Sequence, residues 1–515
     1  MEEYHTVIIV GAGIAGLAAA SKLKTYGYDF VLLEGRDRVG GRIVTDDSLG
    51  VPLDIGASWI HGKVGNPIAH LANIYNIELR KTDDSKSVVV YDTDGKRLGS
   101  HKLNELSLLW RHFIQYTKED QKTANAKTTL ESSVDEFKQK YKITDDEGFE
   151  YELSWQIEID WGDDTKKLSE KYFDKASYLL PGAQDVFPKG YIQIVDGLVR
   201  DIGEEKIKKN QKVNKIEHNA DGVTVITDKQ TLKGKYVICT LPLGVLKNNL
   251  ANNHIEFSDP LPEEKIEAIK RMGMGIFHKT YFKFQEPFWI NDGDKDKDWI
   301  NYIPEKEDQW ITFLNLYKIT GEPVLLGLNY GKYASQLEKL AGENREQEIK
   351  DAGMKVLKTI FPEAPDPVDI LVSNWKEDPF TRGAYSTSPV GEHLDDYDKL
   401  AAPIPAGNPR IFFAGEATTR MYPATVHGAY VTGIREANRL RAYDKKEFLS
   451  EEEQLVKEWD VFPEYVICKD GFELVAKKYT ENGITKYCPK CVSKEEKPRY
   501  LEEGWMDGPD PYVPE

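Results

Sequence analysis

The feature that most constrains the fold is the N-terminal segment from residue 7 to residue 34. Val7–Val10 is a short continuous apolar run, typical of a buried strand in a parallel sheet. Residues 11–16 read GAGIAG, an Ala-rich segment of helical character, Leu17–Tyr26, follows, and Phe30–Leu33 is a second apolar run. The strand–turn–helix–strand context makes this G-x-G-x-x-G pattern a dinucleotide-binding fingerprint and predicts an α/β fold.

Each small residue of the fingerprint has a physical role. Gly11 allows the tight turn, Gly13 lets the backbone approach a pyrophosphate, and Gly16 lets helix and strand pack closely. Phosphates would then meet the positive end of the helix dipole beside Ala15. Glu34 ends the second strand 23 residues after Gly11, where a carboxylate accepts hydrogen bonds from an adenosine ribose.

A second glycine-rich cluster, EGRDRVGGR at residues 34–42, changes the expected cofactor. Paired glycines ending in Gly41 let the backbone pass close to a ligand, and the planar forks of Arg36 and Arg42 suit contacts with it, Arg42 with the pyrophosphate. The pattern E-x-x-x-R-x-G-G-R resembles the second fingerprint of the flavin-containing amine oxidase family. NAD dehydrogenases do not normally carry it, so the two motifs together predict FAD.

The resemblance to that family continues in its order along the chain, at segments 54–62, 240–246, 374–386, 413–416 and 425–429. It implies an α/β fold with an FAD-binding Rossmann-like domain interleaved with an α+β substrate-binding domain. The expected partition is 1–75, 190–275 and 395–445 for the FAD-binding domain, and 76–189 and 276–394 for the substrate-binding domain. Residues 446–515, with 17 acidic and 10 basic residues, form an acidic C-terminal extension that the resemblance does not cover.

Site residues follow from the resemblance, position by position. Lys279 corresponds to the lysine that approaches flavin N5 through a water, and His61 to a residue that hydrogen-bonds the substrate amine. Tyr385 and Trp59 are expected to flank the substrate, with Thr425 lining its pocket. The further cofactor contacts implied are Gly56, Ala57, Ser58, Trp59, Val213, Trp375, Gly415, Glu416, Thr425 and Val426. FAD should be non-covalent, since no Cys lies between residues 240 and 467.

Within the family the sequence is most similar to polyamine oxidases, especially the spermine and N-acetylpolyamine type. Enzymes that cut polyamines terminally often carry Glu and Tyr where this chain has His61 and Thr425. The implied reaction is oxidation of spermine, spermidine or an N-acetyl derivative by O2, of the back-conversion type. Its products are an aminoaldehyde, a shorter polyamine and H2O2. A histone lysine demethylase-like amine oxidase and a non-catalytic flavin-binding scaffold remain alternatives, and the oligomeric state is open.

The formal net charge of -18 argues against a nucleic-acid-binding surface and is compatible with a cationic substrate. Residues 145–164 hold nine acidic residues and no Lys or Arg. This stretch falls in the expected substrate-binding domain. Glu158 and Asp160 are therefore the first candidates for attracting a polycation towards the active site.

The chain ends and the cysteines give the remaining expectations. The acidic N-terminus lacks the basic start and long apolar run of a signal peptide, and no apolar run approaches ~18 residues, so we expect no membrane span and an intracellular, cytoplasmic protein. Cys468, Cys488 and Cys491 are one ligand short of a four-thiolate zinc site, so no metal is expected.

Overall fold

The computed structural model describes most of the chain. The described residues are 3–122, 124–125, 127–144, 146–174, 180–292, 297–304, 310–340, 342, 344–446, 472–481, 484–493, 495–502 and 506–507.

The strands are β1 (Glu3–Val10), β2 (Phe30–Leu33), β3 (Thr45–Asp46), β4 (Leu53–Asp54), β5 (Trp59–Ile60), β6 (Arg80–Thr82), β7 (Val88–Tyr91), β8 (Gln184–Val186), β9 (Ile207–Lys208), β10 (Val213–His218), β11 (Val223–Thr227), β12 (Thr231–Cys239), β13 (Glu256–Phe257), β14 (Gly273–Met274), β15 (Phe277–Lys283), β16 (Trp299–Tyr302), β17 (Thr312–Asn315), β18 (Val324–Tyr330), β19 (Asp369–Val372), β20 (Ser386–Thr387), β21 (Ile411–Phe413), β22 (Phe472–Glu481), β23 (Ile484–Ser493) and β24 (Met506–Asp507).

The helices are α1 (Ile14–Thr25), α2 (Pro67–Ile74), α3 (Ser100–Asp120), α4 (Leu130–Tyr141), α5 (Asp146–Leu153), α6 (Ile159–Trp161), α7 (Ile192–Ile202), α8 (Leu243–Asn252), α9 (Glu263–Arg271), α10 (Tyr317–Thr320), α11 (Gly331–Lys339), α12 (Arg345–Ile360), α13 (Asp396–Ala401), α14 (Val426–Lys445) and α15 (Lys497–Glu502). A π-helical turn, Ser154–Glu158, joins α5 to α6.

The larger sheet has eight strands, with β21, β12, β1, β2 and β9 parallel to their neighbours in that order. An antiparallel extension, β10 and β11, joins at β12. The central strands are apolar on both faces because helices cover one side and a second hydrophobic cluster the other. All parallel strands therefore end at the same edge, where the fingerprint turn lies.

The second sheet has six strands in the order β19-β15-β18-β17-β16-β7. One face packs on α11 and α12, and the other packs on the segment Leu49–Leu53 that leads to β5. Helices α3 to α6 form a separate apolar cluster beside it. One face of this sheet is therefore covered by helices, and the other face is turned towards the first sheet.

The predicted elements are confirmed in kind. The apolar runs expected as strands at 7–10 and 30–33 lie in β1 and β2, and the helical segment expected between them corresponds to α1. The strands of the eight-stranded sheet lie in the ranges expected for one domain, and those of the six-stranded sheet lie in the ranges expected for the other. We retain that discontinuous partition as a proposal supported by the two sheets.

The C-terminal extension contributes a small three-stranded sheet, β23-β22-β24, and α15. Cys488 and Cys491 belong to β23, and Cys468 lies outside the described residues. Across the part of the chain that the structure describes, no cluster of three or more His, Cys, Asp and Glu side chains could hold a metal ion. Within that same part, no helix combines the length and apolarity needed to cross a membrane.

Close packing of α14 on α1 depends on Gly433. A Cβ at this position would lie 2.1 Å from the carbonyl oxygen of Ala15. We expect Gly433→Ala to lower Tm, since overpacking of this kind costs about 1–3 kcal/mol. The control is Gly99→Ala, where a Cβ would have no neighbour within 4 Å. Equal thermal shifts for the two variants would contradict the packing role.

Candidate active site

One large cavity, of about 990 Å³, lies at the carboxyl edge of the eight-stranded sheet. Residues that follow β1, β2, β12 and β21 line one side, namely Gly11, Glu34, Thr240 and Gly415. The six-stranded sheet supplies the other side. Parallel α/β sheets bind ligands at this edge because strand ends and helix N-termini meet there. The volume is at the upper end for a ligand pocket, so a large ligand and a second molecule fit together.

The glycine-rich turns meet at the floor of the cavity. Gly11 has φ +101°, and a Cβ there would lie 2.4 Å from Thr240 Oγ1. Gly13 pairs with Gly40 in an isolated bridge, and a Cβ on Gly41 would lie 3.2 Å from the Gly13 Cα. The two backbones can approach a ligand because no side chain stands between them and the cavity.

Gly16 does not line the cavity, and its role is packing. A Cβ at Gly16 would lie 2.0 Å from the Gly11 carbonyl oxygen, so α1 can follow the turn this closely only with glycine. This agrees with the helix–strand contact expected from the sequence.

Glu34 holds the fingerprint turn in place. Its Oε2 accepts a hydrogen bond from Ala12 N at 2.9 Å and its Oε1 one from Arg36 N at 2.9 Å. Each carboxylate oxygen retains acceptor capacity. The residue lines the cavity while being only 6% exposed, so its free lone pairs are available to a ligand hydroxyl.

Arg42 is oriented by protein groups before any ligand is considered. Its Nη1 donates to Glu416 Oε1 and to Ala384 O, both at 2.9 Å. Glu416 also accepts from Ser386 Oγ at 2.6 Å and from Ala424 N at 3.0 Å. Glu416 is therefore largely satisfied within the protein and acts first on Arg42. Its expected contact with a cofactor remains a prediction.

The rest of the expected cofactor set also converges here. Arg36 lines the cavity, with Nη2 donating to Asp378 Oδ1 at 2.6 Å and its guanidinium 4.9 Å from the Phe380 ring centre. The other expected cofactor residues that line the cavity are Ala15, Gly56, Ala57, Ser58, Trp59, Val213, Trp375, Gly415, Thr425 and Val426.

These groups fit FAD. The glycine turns at the N-terminus of α1 suit a pyrophosphate, and Arg36 and Arg42 supply positive charge near it. None of the described residues lining the cavity is a cysteine, so the wall offers no thiol for covalent attachment. Cys239 is buried on β12 and does not reach this cavity.

Lys279 crosses from the six-stranded sheet to the segment after β4. Its Nζ donates to Asp54 O at 2.9 Å, to Gly56 O at 2.5 Å and to Ser58 Oγ. Burial lowers the pKa of Lys279, and the nearby Asp54 carboxylate opposes that effect. The sequence predicted this residue but not its hydrogen-bond partners. The three acceptors come from residues 54–58, and they place the amine beside the Trp59 ring.

His61 is positioned by strand register. Trp59 pairs with Val186 and Ile60 with Asp185, so the next residue along β5 faces Gln184. His61 Nδ1 lies 3.1 Å from Gln184 Oε1, and because that oxygen can only accept, Nδ1 carries the proton. Burial lowers the pKa of His61, which leaves a neutral ring with an acceptor at Nε2.

Aromatic side chains line the part of the cavity next to Lys279 and His61, and we call this part the chamber. Its aromatic residues are Trp59, Trp155, Trp299 and Tyr385. Trp59 stacks on Trp299 with ring centres 5.9 Å apart, and Trp155 meets Trp299 edge-on at 5.3 Å. Tyr385 donates its hydroxyl to Ile159 O at 3.2 Å and also lines the cavity. Sequence reasoning missed Trp155 and Trp299. The only available signal was their aromatic character near charged segments, which does not reveal which face they take.

The acidic stretch divides between the cavity and the protein interior. Asp160 lines the cavity and makes no side-chain hydrogen bond or ion pair with any described residue. Its carboxylate is open to the cavity but surrounded by protein. Burial and the nearby Asp84 carboxylate raise the pKa of Asp160 to about 7. Asp84, which the sequence did not single out, lines the same cavity.

Glu158 is a correction to the sequence-based expectation. It is 5% exposed, does not line the cavity, and accepts hydrogen bonds from Ser154 Oγ at 2.7 Å and Thr165 N at 2.8 Å. Residues two apart on a helix point to different sides, so Glu158 faces inward while Asp160 faces the chamber. Elsewhere in the stretch, Asp163 pairs with Lys167 at 2.6 Å.

Thr425 lines the cavity and also caps a helix. Its Oγ accepts from Gly428 N at 3.0 Å and donates to Tyr422 O at 2.8 Å, which fixes the N-terminus of α14. The residue therefore presents its methyl group and backbone more readily than a free hydroxyl.

Comparison with known proteins shows which family and which proteins this chain is similar to. The family model for flavin-containing amine oxidoreductases matches residues 14–441. Polyamine oxidase 3 of Oryza sativa subsp. japonica is 32% identical over 454 residues, covering 85% of this chain and 90% of that protein.

Two further proteins are similar to this chain, one in sequence and one in fold. Lysine-specific histone demethylase 1 homolog 3 of Oryza sativa subsp. japonica is 33% identical and covers 84% of this chain, but the alignment spans only 54% of that protein. A solved structure of a redesigned putrescine oxidase has a TM-score of 0.68 at 19% identity, covering 86% of this chain and 100% of that one. The last similarity concerns the fold alone.

The two hydrogen bonds accepted by Glu34 predict a measurable effect on cofactor affinity. In Glu34→Gln one oxygen becomes an amide, so either Ala12 N or Arg36 N loses its acceptor. We expect FAD to bind roughly 10- to 100-fold more weakly, as for loss of about 1.5–3 kcal/mol from a charged hydrogen bond. Titration of apoprotein with FAD, followed by flavin fluorescence, measures this. The exposed carboxylate variant Glu217→Gln should bind FAD normally, and equal affinities in both variants would contradict the role.

Proposed function

Since the chain belongs to the flavin-containing amine oxidoreductase family and is an FAD-dependent oxidase, we propose that its substrates are polyamines. The substrates are spermine, spermidine or N-acetyl derivatives, and cleavage is of the back-conversion type. One amine, one O2 and one water yield an aminoaldehyde, a shorter polyamine and H2O2.

The observation that carries this proposal is the unpaired Asp160 carboxylate inside an aromatic chamber. Asp160 is exposed to the cavity and makes no ion pair with a described residue, so a bound ammonium group would be the partner of its carboxylate. Aromatic faces such as those of Trp155 and Trp299 attract a cation and pack on its methylene chain. Asp84 adds a second negative charge along the same cavity. These groups suit a flexible chain that carries more than one ammonium group.

The chemistry at the reacting carbon needs a neutral amine and an electron acceptor. When bound, FAD accepts a hydride equivalent from the carbon next to nitrogen and passes the electrons to O2. The neutral His61 ring offers its Nε2 lone pair to the N–H of the reacting amine, which favours the uncharged form of that nitrogen. The other ammonium groups remain charged and bind the carboxylates.

Lys279 holds the wall beside the reacting centre. Its hydrogen bonds to Asp54 O, Gly56 O and Ser58 Oγ keep the segment after β4 against the six-stranded sheet. The role expected from the resemblance, holding a water beside the cofactor, needs one of these bonds to open. We propose that the Ser58 hydroxyl is the exchangeable partner, because it can rotate and the carbonyls cannot.

The proposed regiochemistry is argued from His61 and Thr425. Both line the cavity, and Thr425 is small where a tyrosine would fill space. That room supports insertion of the polyamine chain beyond the reacting carbon, as back-conversion needs.

The proposal is tested by incubating the FAD-loaded protein aerobically with spermine, spermidine, an N-acetylated polyamine, a monoamine, and a dimethyl-lysine histone peptide. We expect H2O2 with spermine, together with 3-aminopropanal and spermidine by chromatography. Peroxide from the peptide but not from spermine would identify the demethylase alternative instead. No peroxide from any polyamine would contradict the proposed function.

Asp160 predicts a pH-dependent affinity. Its pKa of about 7 means that the carboxylate gains a proton as the pH falls through 7 and loses its attraction for ammonium groups. We expect KM for spermine to rise below about pH 7. In Asp160→Asn, KM should be raised about 10-fold or more above pH 7, where the wild-type carboxylate is charged, should approach the wild-type value below pH 7, and should depend less on pH.

The matched control for Asp160→Asn is Glu147→Gln, which removes one charge from the same acidic stretch on the exposed side of α5. Its KM should stay within about twofold of the wild-type value because exposed charges are screened by salt. Equal effects of the two variants would mean that only the overall charge matters.

A further inference from the structure

We propose that Glu338, a buried residue outside the cavity, is a positioning residue. It holds the segment from Trp375 to Tyr385, which we call the wall, in place relative to β15, the strand that carries Lys279. The inference rests on the proposed function, because its kinetic readout needs an amine substrate. It concerns a residue that touches neither the cavity nor any ligand in it.

The wall in question is one continuous segment. Seven of its residues line the cavity: Trp375, Pro379, Phe380, Thr381, Arg382, Ala384 and Tyr385. The segment is folded around the Trp375 carbonyl, which accepts from Thr381 Oγ at 2.7 Å and from Gly383 N at 3.0 Å. The Trp375 indole Nε1 donates to Ile55 O at 2.8 Å. A shift of the Trp375 backbone would therefore be transmitted to Thr381 and Gly383.

Glu338 ties the start of this wall to helix α11. The carboxylate is 1% exposed, and its Oε2 accepts from Lys376 N, directly after Trp375, at 2.7 Å. Its Oε1 lies 3.4 Å from Nδ1 of the fully buried His278, directly before Lys279 in β15. Of these two contacts, the one with Lys376 N is a hydrogen bond, whereas among the described residues Glu338 Oε1 and His278 Nδ1 are close neighbours that make no hydrogen bond. Lys376 and His278 are both chain neighbours of residues that line the cavity.

Backbone bonds also join the two ends of the wall to the β14–β15 region. At the far end, Ala384 N donates to Gly275 O at 2.9 Å and Gly275 N donates to Tyr385 O at 2.8 Å. Ser373 Oγ accepts from Lys279 N and Ser373 N donates to Lys279 O, both at 2.9 Å. Beyond Ser373 the chain leaves β15, and Asn374 is exposed. At the start of the wall, Glu338 is the side chain that accepts the backbone N–H of Lys376. Its side chain must reach from α11 to Lys376 N, so length matters more than charge.

That distinction defines the experiment. Glu338→Ala removes the acceptor, Glu338→Asp keeps the charge but falls short of Lys376 N, and Glu338→Gln keeps the length and one acceptor oxygen. The control is Ser335→Ala, on the same helix, which removes the partner of the Lys376 side chain and leaves its backbone bond intact. Each variant is loaded with FAD and mixed anaerobically with saturating spermine, and flavin bleaching is followed. The visible circular dichroism of the bound flavin is recorded without substrate.

We expect bleaching to slow about 10-fold or more in Glu338→Ala and Glu338→Asp, as for a displacement of the reacting groups by less than an ångström. In Glu338→Gln and Ser335→Ala the rate should stay within about threefold of wild type. The flavin dichroism should change in the same two variants. The dissociation constant for spermine should change less than the bleaching rate, because Asp160 is untouched.

Two outcomes overturn the proposal. One is a wild-type rate and dichroism in Glu338→Asp, or in Glu338→Ala if that variant folds. The other is a rate order in which Asp exceeds Gln, which would show that charge rather than reach matters. If neither spermine nor spermidine nor an N-acetyl derivative bleaches the wild-type flavin, the proposed function fails, and the dichroism series alone decides the positioning role.

Discussion

The burial of the Lys279 ammonium constrains the site more than any other single interaction. An amine that is 4% exposed must place its protons on acceptors, and here they are two carbonyls and one hydroxyl from residues 54–58. Because Lys279 comes from one sheet and its acceptors follow a strand of another layer, the bonds set the spacing between the two walls. Tyr281, two residues along the same strand, adds a bond to Asp54 O at 2.6 Å. The chamber thus has its width fixed at the place where chemistry is proposed.

The charge distribution in the cavity depends on which of its charged side chains have a partner within the protein. Arg42 and Glu416 satisfy one another at the cofactor end, and His61 is kept neutral by burial. Asp160 alone among the expected substrate residues is a carboxylate left without a protein donor in the described chain. The result is a site with positive groups where a diphosphate would lie and negative groups where an amine would lie. That separation suits a large anionic cofactor and a cationic substrate sharing one cavity.

Much of this architecture could be predicted from sequence, for identifiable reasons. Gly11, Gly13 and Gly16 occur in a strand–turn–helix context, and such a context leaves few structures open to the chain. Lys279 and His61 could be identified only through the family resemblance, since a lone Lys or His has no local signature. Glu158 could not be told from Asp160 by charge, because only the irregular helix around Ser154–Glu158 decides which side each faces. Trp299 and Glu338 act through contacts with distant parts of the chain, which one sequence does not display.

The central claim is that one chamber brings an amine bound by Asp160 to a flavin held by the glycine turns. The most direct test is stopped-flow reduction of the FAD-loaded protein by spermine without oxygen, compared with a monoamine of similar length. The account predicts rapid bleaching of the flavin by spermine at concentrations far below those needed for the monoamine, with the advantage lost in Asp160→Asn. Equal concentration dependence for the two amines, or an advantage that survives in Asp160→Asn, would contradict it.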